Sequence, residues 1–246
     1  MADRVAVSSS PKPADSRRLY QQVADQIRTV IEESRFVPGT RLPPERELAS
    51  HLGVSRPSLR EAFIALEIQG LVEIRMGSGV YVCAAPTNTE AHPTPPLGDS
   101  PSELMQARSV LEGGVVVLAV ARVTRQNLER VRSCVDAMRE AIRRGFPPIE
   151  ADRRFHVAIA EMTGNPLLAR LVGELFDGRH GPMSSRMSRR AENPQTWGFA
   201  LEEHEAIVRG LEQRDPQEAE AAMFEHLRAS RERWINSSGS TPDSYS

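Results

Sequence analysis

Apolar positions along the first part of the chain recur at helical spacing. Leu19, Val23, Ile27, Val30 and Ile31 fall on one face of a first helix, and Pro38-Gly39 breaks it. Pro43 and Pro44 suit the first turn of a second helix, with Leu48, Ala49 and Leu52 inward and Gly53 as its stop. Ser55 is placed to cap a third, with Pro57 in its first turn and Leu59, Ala62, Phe63 and Leu66 inward. After Gly70 the pattern changes to strands: Leu-Val-Glu-Ile-Arg and Val-Tyr-Val flank Met76-Gly77-Ser78-Gly79, a hairpin with a glycine-rich tip. Three helices followed by a hairpin predict a winged helix-turn-helix over residues 17–83, with Gly53-Val54 as the turn.

Residues 84–101 read as a linker, because the prolines from Pro86 to Pro101 deny backbone hydrogen bonds and leave almost nothing to bury. Helical spacing then returns. Leu104, Ala107, Leu111, Val115, Leu118 and Ala119 mark one helix; Thr124 caps another carrying Leu128, Val131, Val135, Met138 and Ile142. Further helices are expected over 148–163, from Asn165-Pro166 through Phe176, and over 195–213 and 216–235, the last opened by Asp215-Pro216. The expected fold is mostly α, with an all-α bundle of about six helices over 102–235 behind the winged unit. The polar ends, 1–16 and 236–246, predict disorder.

Composition excludes some classes. No uninterrupted apolar run approaches the roughly 20 residues that span a bilayer, and the N-terminus lacks the apolar core of a secretory signal. Two cysteines, Cys83 and Cys134, make no disulfide framework, which points to a reducing cytoplasm. A net charge of -2 gives no global attraction to nucleic acid, yet an acidic second domain can mask a locally basic surface.

Such a surface is expected at the start of the third helix, where Ser55, Arg56, Ser58 and Arg60 read as exposed. Arg56 offers a planar fork of donors to guanine O6 and N7, and Arg60 suits a base or a phosphate. Arg46 would lie near the DNA backbone, and Gly77 and Gly79 would let the wing approach without a side-chain clash. The alternative is a solvated helix surface in which these arginines pair with Glu45, Glu47 and Glu61; the order of the surrounding elements weighs against it.

In the helical half, polar groups interrupt apolar faces selectively. Asp152 and His156 sit one turn apart on a face with Phe155 and Ile159. His204 lies between Leu201 and Val208 on an inward stripe, and His226 among Ala222, Met223 and Ser230. Two readings stay open on spacing. The histidines are hydrogen-bonded core residues, or Asp152, His156, His204 and His226 hold a divalent metal that compensates the buried carboxylate. Zn comes first for such a donor set, with Ni, Mn or Fe as alternatives, and a five- or six-coordinate ion would keep positions open for a metabolite.

The same residues carry a resemblance. Arg18-Leu-Tyr-Gln-Gln, Val37-Pro-Gly-Thr-Arg-Leu-Pro-Pro-Glu-Arg-Glu-Leu-Ala, Val54-Ser-Arg-Pro-Ser-Leu-Arg-Glu-Ala and Arg75-Met-Gly-Ser-Gly-Val resemble the GntR family of bacterial regulators. That resemblance implies DNA contacts by Arg46, Ser55, Arg56, Ser58, Arg60 and Gly77, while Met76 stands where a polar or basic residue is usual. Asp152-x-x-Phe-His156, Thr163-Gly-Asn-Pro-Leu, Glu203-His204 and Met223-x-x-His226-Leu resemble the family's FCD-type effector domain. In that domain the corresponding Asp and three His bind a divalent metal, with an organic acid beside it. Arg108 then matches a position near the effector carboxylate, and Asn165 is a second candidate for facing the ligand. Glu103-Leu-Met-Gln-Ala-Arg and Leu175-Phe-Asp-Gly-Arg-His-Gly-Pro-Met look most like the branch that responds to hexuronates, although Ser184 replaces an aromatic there and would reshape the pocket.

The expected function is a cytoplasmic, homodimeric transcriptional regulator, a repressor of a palindromic operator released by a sugar acid or other small carboxylate. A metalloenzyme is the rival class. It lacks a visible general base such as the Glu of His-Glu-x-x-His and leaves the N-terminal block unexplained. A purely structural role for the histidines, in a domain that only dimerises, is the third reading.

Overall fold

The structure is a computed structural model that describes residues 18–84 and 97–236 of the 246-residue chain. Asn236, expected in the disordered tail, closes the last helix; the rest of that tail, residues 1–16 and most of the expected linker lie outside the described residues.

The N-terminal unit runs α1 (Leu19–Glu33), α2 (Glu45–Leu52), α3 (Arg56–Ile68), β1 (Val72–Arg75) and β2 (Gly79–Val82). Pro43 and Pro44 precede α2 instead of entering its first turn, and Gly53 ends it at φ +67. The Ser55 hydroxyl accepts the Ser58 amide and caps α3, as the Ser-x-Pro spacing anticipates. β1 and β2 pair antiparallel with Val72 opposite Val82 and Arg75 opposite Gly79. Gly77 takes φ +68 at the tip and Gly79 takes φ +119, a conformation that side chains disfavour. The α1–α2 connection adds to the hairpin: Leu42 N–H donates to Val80 and Val82 N–H to Thr40.

The helical unit comprises α4 (Pro101–Val120), α5 (Arg125–Arg143), α6 (Ile149–Met162), α7 (Pro166–Asp177), α8 (Pro182–Ala191), α9 (Pro194–Gln213) and α10 (Pro216–Asn236), with a 3₁₀ turn at Gly178–His180. Asn165 and Asp215 cap α7 and α10 with their side chains. Periodicity missed α8. Its inward stripe is only Met183, Met187 and Ala191, set among serines and arginines. On α4 the buried face differs from the apolar spacing: Arg108 and Glu112 are buried, while Ala107 and Leu118 face outward. Leu97 is buried too, so the chain before α4 is already packed.

Helix α3 is the seam between the units. Glu61, 4% exposed, accepts from the Ser100 hydroxyl (2.7 Å) and the Ser102 amide (2.8 Å) at the start of α4. Glu67 accepts from Arg186 Nε (2.9 Å) and Arg190 Nη2 (2.6 Å) of α8, and from the Ile74 amide of β1 (3.1 Å). Burial pushes the Glu67 carboxyl up, but Arg186, the Ile74 N–H and Arg190 together hold it below its ordinary 4.5.

Two outcomes test this packing. A Cβ on Gly210 of α9 would stand 2.7 Å from the Ala219 backbone of α10. Overpacking should outweigh the roughly 1 kcal/mol of helix propensity that alanine adds. Gly210→Ala should therefore lower the urea midpoint; a raised midpoint would mean that α9 and α10 are loosely apposed. Glu67, with its folded pKa depressed, contributes stability above pH about 4.5 that is lost as pH falls below it. In thermal melts Glu67→Gln should be less stable than the parent near pH 7, and the gap should close on acidification.

Candidate metal centre and DNA-reading head

Helix α6 places Asp152 and His156 one turn apart; α9 brings His204 and α10 brings His226 to the same point. One donor atom from each of the four lies within 4.8 Å of the others. Asp152 Oδ1 is 3.0 Å from His204 Nε2 and 3.2 Å from His156 Nε2. The three rings pack against one another, with centroids 4.2 Å apart for His204 and His226 and 5.3 Å for His156 and His226. Phe155, fully buried, sets its ring edge-on to both His156 and His204.

Each imidazole has an oxygen within 2.9 Å of Nδ1. Glu112 Oε2 stands 2.5 Å from that nitrogen of His156, the Ala200 carbonyl 2.6 Å from that of His204, and Glu203 Oε2 2.9 Å from that of His226. This leaves Nε2 as the remaining nitrogen on all three rings, the arrangement in which outer acceptors fix the tautomer of metal-binding histidines. Behind the acceptors stand two arginines. Arg108 Nε bonds Glu112 (2.7 Å), and Arg233 clasps Glu203 with both Nη atoms (2.6 and 2.9 Å). The residues present therefore fit a divalent cation.

The electrostatics point the same way. Burial opposes ionisation of Asp152, but hydrogen bonds and charge from His156 and His204 hold its carboxyl well below the usual range. Burial likewise opposes ionisation of Glu112 and Glu203; Arg108 and His156 bring the first to about 2, and Arg233 and His226 the second to about 2. Burial and the neighbouring His204 push His226 down to about 3, so it stands neutral, as a ligand must. His156 is raised, because Glu112 and Asp152 outweigh burial.

A cavity opens beside the cluster, walled by Asp152, Arg179, Glu192, Trp197, Arg233 and Trp234. Its free volume is about 50 Å³, enough for a few waters. Trp197 Nε1 is buried in this wall without a hydrogen-bond partner among the described residues. The two residues expected to face a ligand are elsewhere. Arg108 is 3% exposed and turned to Glu112, so it supports His156 through that carboxylate. Asn165 is exposed as the cap of α7, away from the cavity lining. Ser184 is buried on α8 and also lies outside the lining.

Sequence reasoning missed Glu112, Arg179, Glu192, Glu203 and Arg233. The first carried a signal, since Arg108 and Glu112 lie one turn apart on a largely apolar helix. Glu203 adjoins His204 but reads as surface charge until α10 is laid against α9.

In the reading head, Ser55 and Arg56 are exposed at the start of α3, Ser58 is half-buried, Arg46 is exposed on α2, and Gly77 is exposed at the hairpin tip. Arg60 is not where its spacing suggests. It is 4% exposed, with Nε on Glu45 (2.8 Å) and Nη1 on the Ile235 carbonyl at the end of α10 (2.9 Å). The reason is that Glu45 of α2 and the last turn of α10 meet at this position, which α3 alone would leave in solvent.

Comparison with known proteins agrees with both halves. Residues 19–82 match the bacterial regulatory proteins of the gntR family, and residues 103–229 match the FCD domain. The Uxu operon transcriptional regulator of Escherichia coli K12 is 34% identical over 226 residues, 89% of this chain and 88% of that one. The Exu regulon transcriptional regulator of the same strain is 33% identical over 222 residues, covering 87% and 83%. A solved Streptococcus agalactiae GntR is 26% identical, covers 86% of this chain and 98% of that one, and superposes with a TM-score of 0.46. No helix among the described residues is long and apolar enough to cross a membrane. The chain belongs to the GntR family, a DNA-binding transcriptional regulator, not an enzyme, whose helical half is an FCD domain.

Proposed function

We propose that this regulator is a homodimeric, cytoplasmic repressor whose hold on a palindromic operator is released by a small organic acid bound at a divalent metal. Residues 17–83 form the DNA-binding domain, 84–101 the linker, and 102–235 the effector-binding and dimerisation domain. The observation that carries the metal is the triple Nδ1 anchoring of His156, His204 and His226 around Asp152. Zn is the first candidate, with Ni, Mn or Fe suited to the same nitrogens. When bound, the metal supplies Lewis acidity and open positions for a carboxylate and a hydroxyl.

A hexuronate or related sugar acid is the effector we favour. The similarity to the Uxu and Exu regulators supports it, and so does a cavity wall holding two guanidinium groups and an unpartnered indole N–H. An apolar groove between α4 and α7, lined by Val110, Leu118 and Leu171, supports a second copy of the chain as dimer partner. At the DNA, Arg56 reads a base, Ser55 and Ser58 flank it, and Arg46 and the Gly77 backbone meet phosphate.

Thermal melts of the native protein with sugar acids, run with and without chelator, test this reading. A stabilisation by ligand that chelator abolishes is the expected result; one that persists in chelator would remove the metal from the site. Glu203→Gln keeps all four ligands but gives up the carboxylate that holds His226. Its metal affinity should fall about 10–100-fold in competition titrations, and unchanged affinity would reject the anchoring argument. Arg56→Ala should lose roughly 1–3 kcal/mol of discrimination between operator and scrambled DNA. Uniform weakening on both sequences would make Arg56 a phosphate contact.

A further inference from the structure

We propose that Arg179 anchors the effector's carboxylate and that Glu192 holds its place until the effector arrives. The exchange on the guanidinium frees the end of α8 and slackens its grip on Glu67 of α3. The proposal rests on reading the cavity as an effector site.

The position of Arg179 is the first ground. It leaves the 3₁₀ turn after α7 and reaches inward, its side chain 10% exposed. Nη1 donates to Asp152 Oδ2 at 3.0 Å and Nη2 to Glu192 Oε1 at 2.6 Å. The guanidinium lies 4.9 Å from the Phe176 ring and 5.5 Å from that of Trp234, which fixes its plane. It therefore presents a rigid, planar fork one hydrogen bond from the metal-ligand cluster. An anion seated beside that cluster meets this fork.

The second ground is what the alternatives already do. Arg233 also faces the cavity, but it is engaged by Glu203, which holds His226; displacing Glu203 would dismantle the ligand set. Glu192 has no such second duty among the described residues. Its side chain bonds Arg179 alone. The cavity is also too small, at about 50 Å³, for an organic acid to enter with every wall in place. Glu192 is thus the wall whose departure costs least, and the arriving carboxylate replaces its charge on Arg179.

The third ground is connectivity. Glu192 follows the last residue of α8, and its amide donates to the Ser188 carbonyl. Arg186 and Arg190 of the same helix both end on Glu67. The other wall also leads to α3: Trp234 precedes Ile235, whose carbonyl accepts from Arg60. A change at Glu192 is therefore one short helix away from the element that carries the DNA-reading residues.

The test uses the full chain loaded with Zn as wild type, Arg179→Gln and Glu192→Gln, with metal content measured in each. D-glucuronate and acetate are titrated calorimetrically, and amide hydrogen exchange is followed over 56–69 and 182–192. Arg179→Gln should bind both acids roughly 10–100-fold more weakly, the worth of a charge-assisted bond. Glu192→Gln should bind them more tightly than wild type, because the competing carboxylate is gone. A merely structural ion pair predicts the opposite sign for Glu192→Gln. Without ligand, Glu192→Gln should already show the faster exchange in both segments that D-glucuronate induces in wild type.

Equal or weaker binding by Glu192→Gln, or no binding of either acid by any form, overturns the anchor. Exchange unchanged in both segments overturns the transmission. If acetate follows the expected order while D-glucuronate binds to none of the three, the anchor stands and the sugar-acid reading falls.

Discussion

The burial of one carboxylate, Asp152, sets the terms for the helical half of this protein. A buried charge costs several kcal/mol unless opposite charge and hydrogen bonds are brought to it. Here they come from three directions in the chain: His156 one turn on, His204 from α9 and Arg179 from the turn before α8, with the neutral His226 stacked beside them from α10. Each partner then needs its own compensation. Glu112 faces His156 and is held by Arg108; Glu203 faces His226 and is held by Arg233. Alternating charge thus runs outward from Asp152 through His156, Glu112 and Arg108, while the Glu203–Arg233 pair backs the neutral His226. An apolar core of the same volume would be at least as stable. The network is better understood as the means of holding the three imidazoles and the carboxylate in place than as a source of stability.

The same physics shapes the seam with the DNA-reading unit. The first turn of α3 is exposed and carries Ser55 and Arg56, while the rest is covered and carries three charged residues that the helical unit binds. Glu61 is held at the start of α4, Glu67 by α8, and Arg60 by the end of α10. Helix α3 is thereby fixed at three points by directional bonds.

Much of this was legible in the chain itself. Helical and strand spacing, Ser55, Asn165 and Asp215 as caps, and Gly53 and Gly77 at their turns define the elements, because these signals are local: each depends on residues within about one turn. The residues Asp152, His156, His204 and His226 stood out for the same reason, as polar groups interrupting apolar faces of single helices. Helix α8 was obscured because only three of its buried residues are apolar and, after Pro182, its other positions are Ser and Arg.

Only the tertiary structure decided which charges became partners. Arg108 is drawn as a ligand contact by its place in the sequence, yet it backs Glu112; Arg60 is drawn as a DNA contact, yet α10 covers it. Arg179 and Glu192, unremarkable in a polar stretch, form the cavity wall. An ion pair between residues far apart in sequence leaves no periodicity to read, since its existence depends on where two helices cross. The sequence by itself determined the elements, the family and the four inward polar residues, Asp152, His156, His204 and His226. The packing of α8 on α3, the bond from the end of α10 to Arg60, and the meeting of side chains from α6, α9 and α10 at one point decided what surrounds those four residues and how they connect to α3.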